Sequence, residues 1–154
     1  MAWTEVSWAF VRNTVGHFHP AIVHFPIALL STGLVVEGWS AVRGLGASES
    51  ARRLLALGLL GAVAAAASGL LLFHPGDYRG MTSDVAGLHR ILGLATVTLA
   101  VIAGVVSGLP RGRRPEGTRL LLYRVAYVGT GLLVGITGHY GGWIVFGWGK
   151  VWTF

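Results

Sequence analysis

HFHPAIVHFPIALLSTGLVVEGWSAV, residues 17–42, decides the fold class. The run holds one carboxylate, Glu37, and neither Lys nor Arg. A bilayer hydrocarbon core of about 30 Å needs roughly 20 helical residues to cross it, so a run of this length and polarity predicts a membrane-spanning helix. Three more such runs follow, near residues 53–74, 86–109 and 119–147. The whole chain agrees with them. Its 154 residues are 53% hydrophobic and 12% charged, half the roughly 25% charge of a soluble domain, and the mean hydropathy is +0.65. The expected fold is all-α: one integral membrane domain over residues 1–154, a four-helix bundle running up and down.

Outward from the spans, the basic residues set an orientation. Arg43, Arg52 and Arg53 join the first and second spans, and Arg111, Arg113, Arg114, Arg119 and Arg124 lie in or beside the connection from third to fourth. The other side has Arg12, Arg79, Arg90 and Lys150, diluted by Glu5, Asp77 and Asp84. Lys and Arg near helix ends are retained on the cytoplasmic side. Both termini are therefore expected to be non-cytoplasmic, in the bacterial inner membrane. The net charge of +6 is read as topology signals that meet anionic lipid headgroups, with no nucleic acid as partner. Residues Trp3 to Val15 have apolar side chains at Trp3, Val6 and Phe10, which suits a short interfacial helix. Trp143, Trp148 and Trp152 form the matching aromatic belt at the other terminus. The N-terminus lacks the basic n-region of a signal peptide, so the first span is expected to direct its own insertion.

All six histidines fall on one side of this topology, the periplasmic one. His17, His19 and His24 open the first span, His74 closes the second, His89 opens the third and His139 lies near the end of the fourth. An ionisable residue inside a membrane points to function. With no cysteine in the chain, thiolate sites, iron–sulfur clusters and thioether-linked haem are excluded, leaving imidazole as the principal ligand. Two trans imidazoles at similar depth suit a haem iron. His24, His89 and His139 are the axial candidates, His139 foremost, and the same three are the candidates for a non-haem metal. His19 and His74 lie nearer the interface, where Arg79 and Arg90 suit carboxylate groups of a cofactor. Gly131, Gly135, Gly138 and Gly142 around His139 fit GxxxG spacing, which serves close helix packing or side-chain-free surface beside a flat macrocycle. Pro20 suits a helix start, and Pro26, which lacks the donor for the Ile22 carbonyl, suits a kink. Glu37 is expected to pair with Arg124, Arg43 or Arg119, or to handle protons. A faint internal echo sets His24 with His74 and His89 with His139, one pair per hairpin. No nucleotide fingerprint, HExxH or catalytic triad order is present.

HPAIVHFPIALL at His19 to Leu30, Leu88-His89-Arg90, and GHYGGWIVFG at Gly138 to Gly147 resemble a family of small bacterial four-helix membrane proteins of unsettled function. That family is recognised by an HPxxVHFPIAL opening and a GHxGGxxVxG ending. The similarity covers residues 17–147, with His19, His24, His89 and His139 at matching positions. Some members are joined to cytochrome c modules, which implies a redox setting outside the cytoplasm and makes haem b the favoured cofactor. The resulting expectation is an electron-transfer subunit rather than an enzyme, working with membrane lipids and with other membrane subunits or a cytochrome c. The competing expectations are a cofactor-free accessory subunit and a non-haem metal protein.

Overall fold

The computed structural model describes residue 10 and residues 14–73, 81–109 and 112–147. Most of the expected interfacial segment, the connection carrying His74 and Arg79, and Trp148 and Trp152 lie outside the described residues. After a helical turn at residues 14–17 come α1 (His19–Ile22), α2 (His24–Val42), α3 (Glu49–Leu72), α4 (Met81–Val106) and α5 (Gly117–Phe146). α1 and α2 together make one span, His19–Val42, and α3, α4 and α5 supply three more. No strand occurs among the described residues. The chain is an all-α, multi-pass membrane protein.

Pro26 affects the first span differently from the expectation. Helix α2 runs through it, and the interruption lies at Val23, just after the Ile22 carbonyl that Pro26 cannot reach. Pro26 itself is buried against α3, where a Cβ added at Gly61 would come within 3.2 Å of its ring. Helix α3 also starts earlier than the hydropathy suggests. Ser48 caps it by accepting from the Ala51 amide at 3.3 Å, with Glu49 in the first turn. Arg52 is then inside the bundle, only 3% exposed, and its guanidinium donates to Glu49 at 2.8 Å and to the Arg113 carbonyl at 3.2 Å.

The arginine-rich end is closed. Leu30, Ala51, Leu55, Ala103, Tyr123 and Tyr127 make its core, and polar groups pair across it. Glu37, 2% exposed, accepts from Arg124 Nε at 2.8 Å, from the Ser48 amide at 2.9 Å and from the Tyr123 hydroxyl at 3.4 Å. Of the three arginines expected as its partner, it takes Arg124. Arg124 also donates to the Leu45 carbonyl at 2.7 Å, and Arg119 to that of Val106 at 2.7 Å. Carbonyls left over at helix ends and turns are thus satisfied by arginines where lipid offers no donor.

The four spans form two hairpins, α2–α3 and α4–α5, each packed more closely within itself than against the other. The hairpins repeat one another in burial. Pro26, Leu30, Gly33 and Glu37 of the first have buried counterparts 70 positions on in Thr96, Ala100, Ala103 and Ser107. Leu55, Gly58 and Ala62 of α3 have buried counterparts 72 positions on in Tyr127, Thr130 and Val134. The two buried faces match although almost no residue types do. Both hairpins start at the histidine end, so they form a parallel repeat with its pseudo-two-fold axis along the bundle.

Candidate cofactor site

Toward the histidine end the hairpins part around a cavity of about 450 Å³ lined by all four spans. That size lies within the roughly 300–1,000 Å³ of cofactor sites. His19, His24 and His89 line it, and Arg90 stands at its edge with the guanidinium 5.3 Å from the Phe73 ring centre. His139, foremost on the sequence alone, is not among the lining residues; its ring meets that of Tyr140 edge-on at 5.9 Å. His17 is exposed in the N-terminal turn. His74 and Arg79 fall outside the described residues. The structure therefore gathers His19, His24 and His89 and leaves His139 to one side. Among the described residues no three His, Asp or Glu come close enough to hold one metal ion. His24, His89 and His139 form no such group.

His19 and His89 are held in the same way, one by each hairpin. The Nδ1–H of His19 donates across to the Ala65 carbonyl of α3 at 2.9 Å, with Ser68 Oγ at 3.1 Å. The Nδ1–H of His89 donates across to the Thr137 carbonyl of α5, again at 2.9 Å. Four residues beyond each carbonyl is a glycine under the ring: a Cβ at Gly69 would lie 2.8 Å from His19 Cε1, and one at Gly141 would lie 3.1 Å from His89 Cε1. Only glycine lets the helices approach this closely around an imidazole. With Nδ1 committed as donor, Nε2 of each neutral ring keeps its lone pair, the arrangement that fixes tautomer and orientation in metal-ligating histidines. The two rings meet edge-on across the hairpin boundary, centres 6.2 Å apart and planes at 78°. His24 is the third imidazole of the cavity wall. Its Nδ1–H donates to the Pro20 carbonyl one turn back in its own span, at 2.6 Å, and its side is exposed.

The repeat explains what the sequence echo missed. His19 and His89 are 70 positions apart, in register with the buried faces of the first helices, while Arg52 and Arg124, Ala65 and Thr137, and Gly69 and Gly141 are each 72 apart, in register with the second helices. In this register His24 matches Leu94 and His139 matches Ala67, so neither belongs to the repeated pair. The glycines of α5 also divide. Gly131 packs against Leu34 and Gly141 against His89, whereas a Cβ at Gly138 or Gly142, both on the cavity wall, would meet nothing within 4 Å.

No curated protein and no solved structure matches the chain. The family model described as a predicted membrane protein, DUF2231, matches residues 16–151, and by that match over nearly its whole length the chain belongs to this family.

Proposed function

We propose that the chain is a haem b-binding electron-transfer subunit in which His19 and His89 would hold the haem iron, one from each hairpin. The observation that carries this reading is the pair of imidazoles at the cavity, ring centres 6.2 Å apart, each anchored through Nδ1 to a carbonyl of its own hairpin. A bound haem supplies one-electron exchange at iron. The chain's part is to hold two nitrogens at fixed depth, to keep water from the apolar cavity, and to offer Arg90 to an anionic group at the edge. With His19 and His89 both given to the iron, the haem would supply electron exchange and leave no histidine of the pair for other chemistry. We place the histidine end on the periplasmic side of the bacterial inner membrane from the arginine distribution, where a cytochrome c or another redox subunit is the partner.

A second reading has its own support. The hydrogen bonds from His19 to Ala65 and from His89 to Thr137 also staple each hairpin, as a cofactor-free accessory subunit would need. A reduced-minus-oxidised spectrum with haem quantification, taken on native membranes and on the purified chain, separates the two. A low-spin bis-histidine haem spectrum lost in His19→Ala and His89→Ala is expected. A wild-type chain without haem in its native membrane would overturn the proposal and favour the staple.

A further inference from the structure

The pseudo-two-fold axis gives the cavity two equivalent side walls, α3 against α4 and α2 against α5, and the chain treats them differently. At the α3/α4 wall stand Ala66, Leu70 and Leu94. Their counterparts at the α2/α5 wall are Gly138, Gly142 and His24, and all six line the cavity. Side chains that stand on one wall are therefore missing from the other, and among the described residues a Cβ at Gly138 or Gly142 would meet nothing within 4 Å. α2 and α5 are also the more loosely packed pair. The glycines do not serve helix contact here. They leave a smooth backbone face beside an outward imidazole at the height of the cavity.

We infer that the α2/α5 wall is a lateral opening to the bilayer that binds a lipid-soluble hydroquinone, a phenolic hydroxyl donating to His24 Nε2. The chemistry of the wall selects that class. Nδ1 of His24 is taken by the Pro20 carbonyl at 2.6 Å, so Nε2 of the neutral ring is an acceptor that needs a donor from outside. The cavity lining on α2 and α5 carries no charged residue among those described, and Arg90, its one charge, is on α4. A phospholipid headgroup would want cations or several donors; a flat, neutral, hydroxyl-bearing ring wants one acceptor and a surface without side chains, which the glycines give. The tail of such a molecule stays in lipid. The inference goes beyond the haem reading by naming a second ligand of the same cavity, and the binding itself is independent of haem.

The experiment is a binding titration of the purified full chain, in detergent and in nanodiscs, with a decyl-substituted benzohydroquinone, alongside haem quantification. The variants are His24→Leu and Gly142→Leu, each bringing the bulk of the twin wall, where leucine already fits. Saturable binding at one molecule per chain is expected, weakened about tenfold by His24→Leu through the lost hydrogen bond and abolished by Gly142→Leu, with helix content by circular dichroism unchanged in both. Binding that is absent, or equal in all three proteins, would overturn the inference. His24-dependent binding in a chain that carries no haem would uphold it while removing the haem reading, so the two failures are distinct.

Discussion

The two ends of the bundle solve opposite problems with the same repeated hairpin. At the arginine end a buried carboxylate and buried arginines are matched to partners: Glu37 to Arg124 at 2.8 Å, Arg52 to Glu49 at 2.8 Å. At the histidine end the hairpins part, three imidazoles line a cavity of about 450 Å³, and among the described residues each hydrogen-bonds through Nδ1, to a carbonyl and, for His19, also to Ser68 Oγ. Polar groups in a membrane interior are costly unless paired. A network whose charges are paired reads as architecture, even with Arg52 Nε and the Tyr127 hydroxyl left without a partner among the described residues; imidazoles anchored at Nδ1 around a cavity read as a ligand site. The comparison fails if the histidine end proves as self-contained as the other.

The sharpest test is loss of the cofactor. His19→Ala and His89→Ala are each expected to remove essentially all haem, measured per chain against antibody-quantified protein in membranes, while His139→Ala keeps it. Loss on His139→Ala together with retention on His19→Ala would reverse the ligand assignment. The arginine end predicts the converse pattern. Glu37→Ala removes the buried carboxylate from a partly exposed Arg124, which keeps the Leu45 carbonyl, and is expected to cost about 1–3 kcal/mol, below the full penalty of breaking a buried pair, with the spectrum of the remaining folded protein unchanged. Denaturation in detergent followed by absorbance checks both halves of that statement. A shifted spectrum would mean that the two ends are coupled.

What the sequence made legible follows from which signals survive without a partner helix. Hydropathy and span length are properties of one segment, so the four helices and the fold class could be read directly, and the end effects that moved α3 forward to Glu49 came from a cap and a buried arginine that hydropathy counts as loop. That His19, His24 and His89 share one end of the bundle could likewise be expected from chain order alone. The choice of histidine could not. His139 sits among glycines, which drew attention to it, yet the glycine that matters for an imidazole is Gly141, and the imidazole is that of His89 on the neighbouring helix. The pairing of His19 with His89 needs the register of the repeat, and the registers of its first and second helices differ by two positions because the connections differ in length.

Glycines sharpen the contrast at smaller scale, because the same residue type has two jobs on the same face of the cavity. Under His19 and His89, a methyl group at Gly69 would be 2.8 Å from ring carbon and one at Gly141 would be 3.1 Å from it. Gly69→Ala must therefore push its ring further than Gly141→Ala, and the loss of haem per chain is expected in that order. Equal retention in both variants would show that the rings have room the close contacts deny.

Gly138→Ala is the smallest change and the most exacting. Its added methyl meets nothing within 4 Å, and an alanine in a helix interior is favoured over glycine by about 0.5–1 kcal/mol. A glycine kept there against its own helix propensity has a cost that packing does not return. Thermal unfolding in detergent is expected to show Gly138→Ala slightly more stable than wild type, with haem retained and hydroquinone binding reduced, because the methyl narrows the α2/α5 opening. If instead the variant is destabilised, the face of α5 bearing Gly138 packs against something in the membrane that a single chain does not contain. The glycines would then mark a helix interface and not an opening, and the asymmetry between the two walls of the cavity would have a different cause.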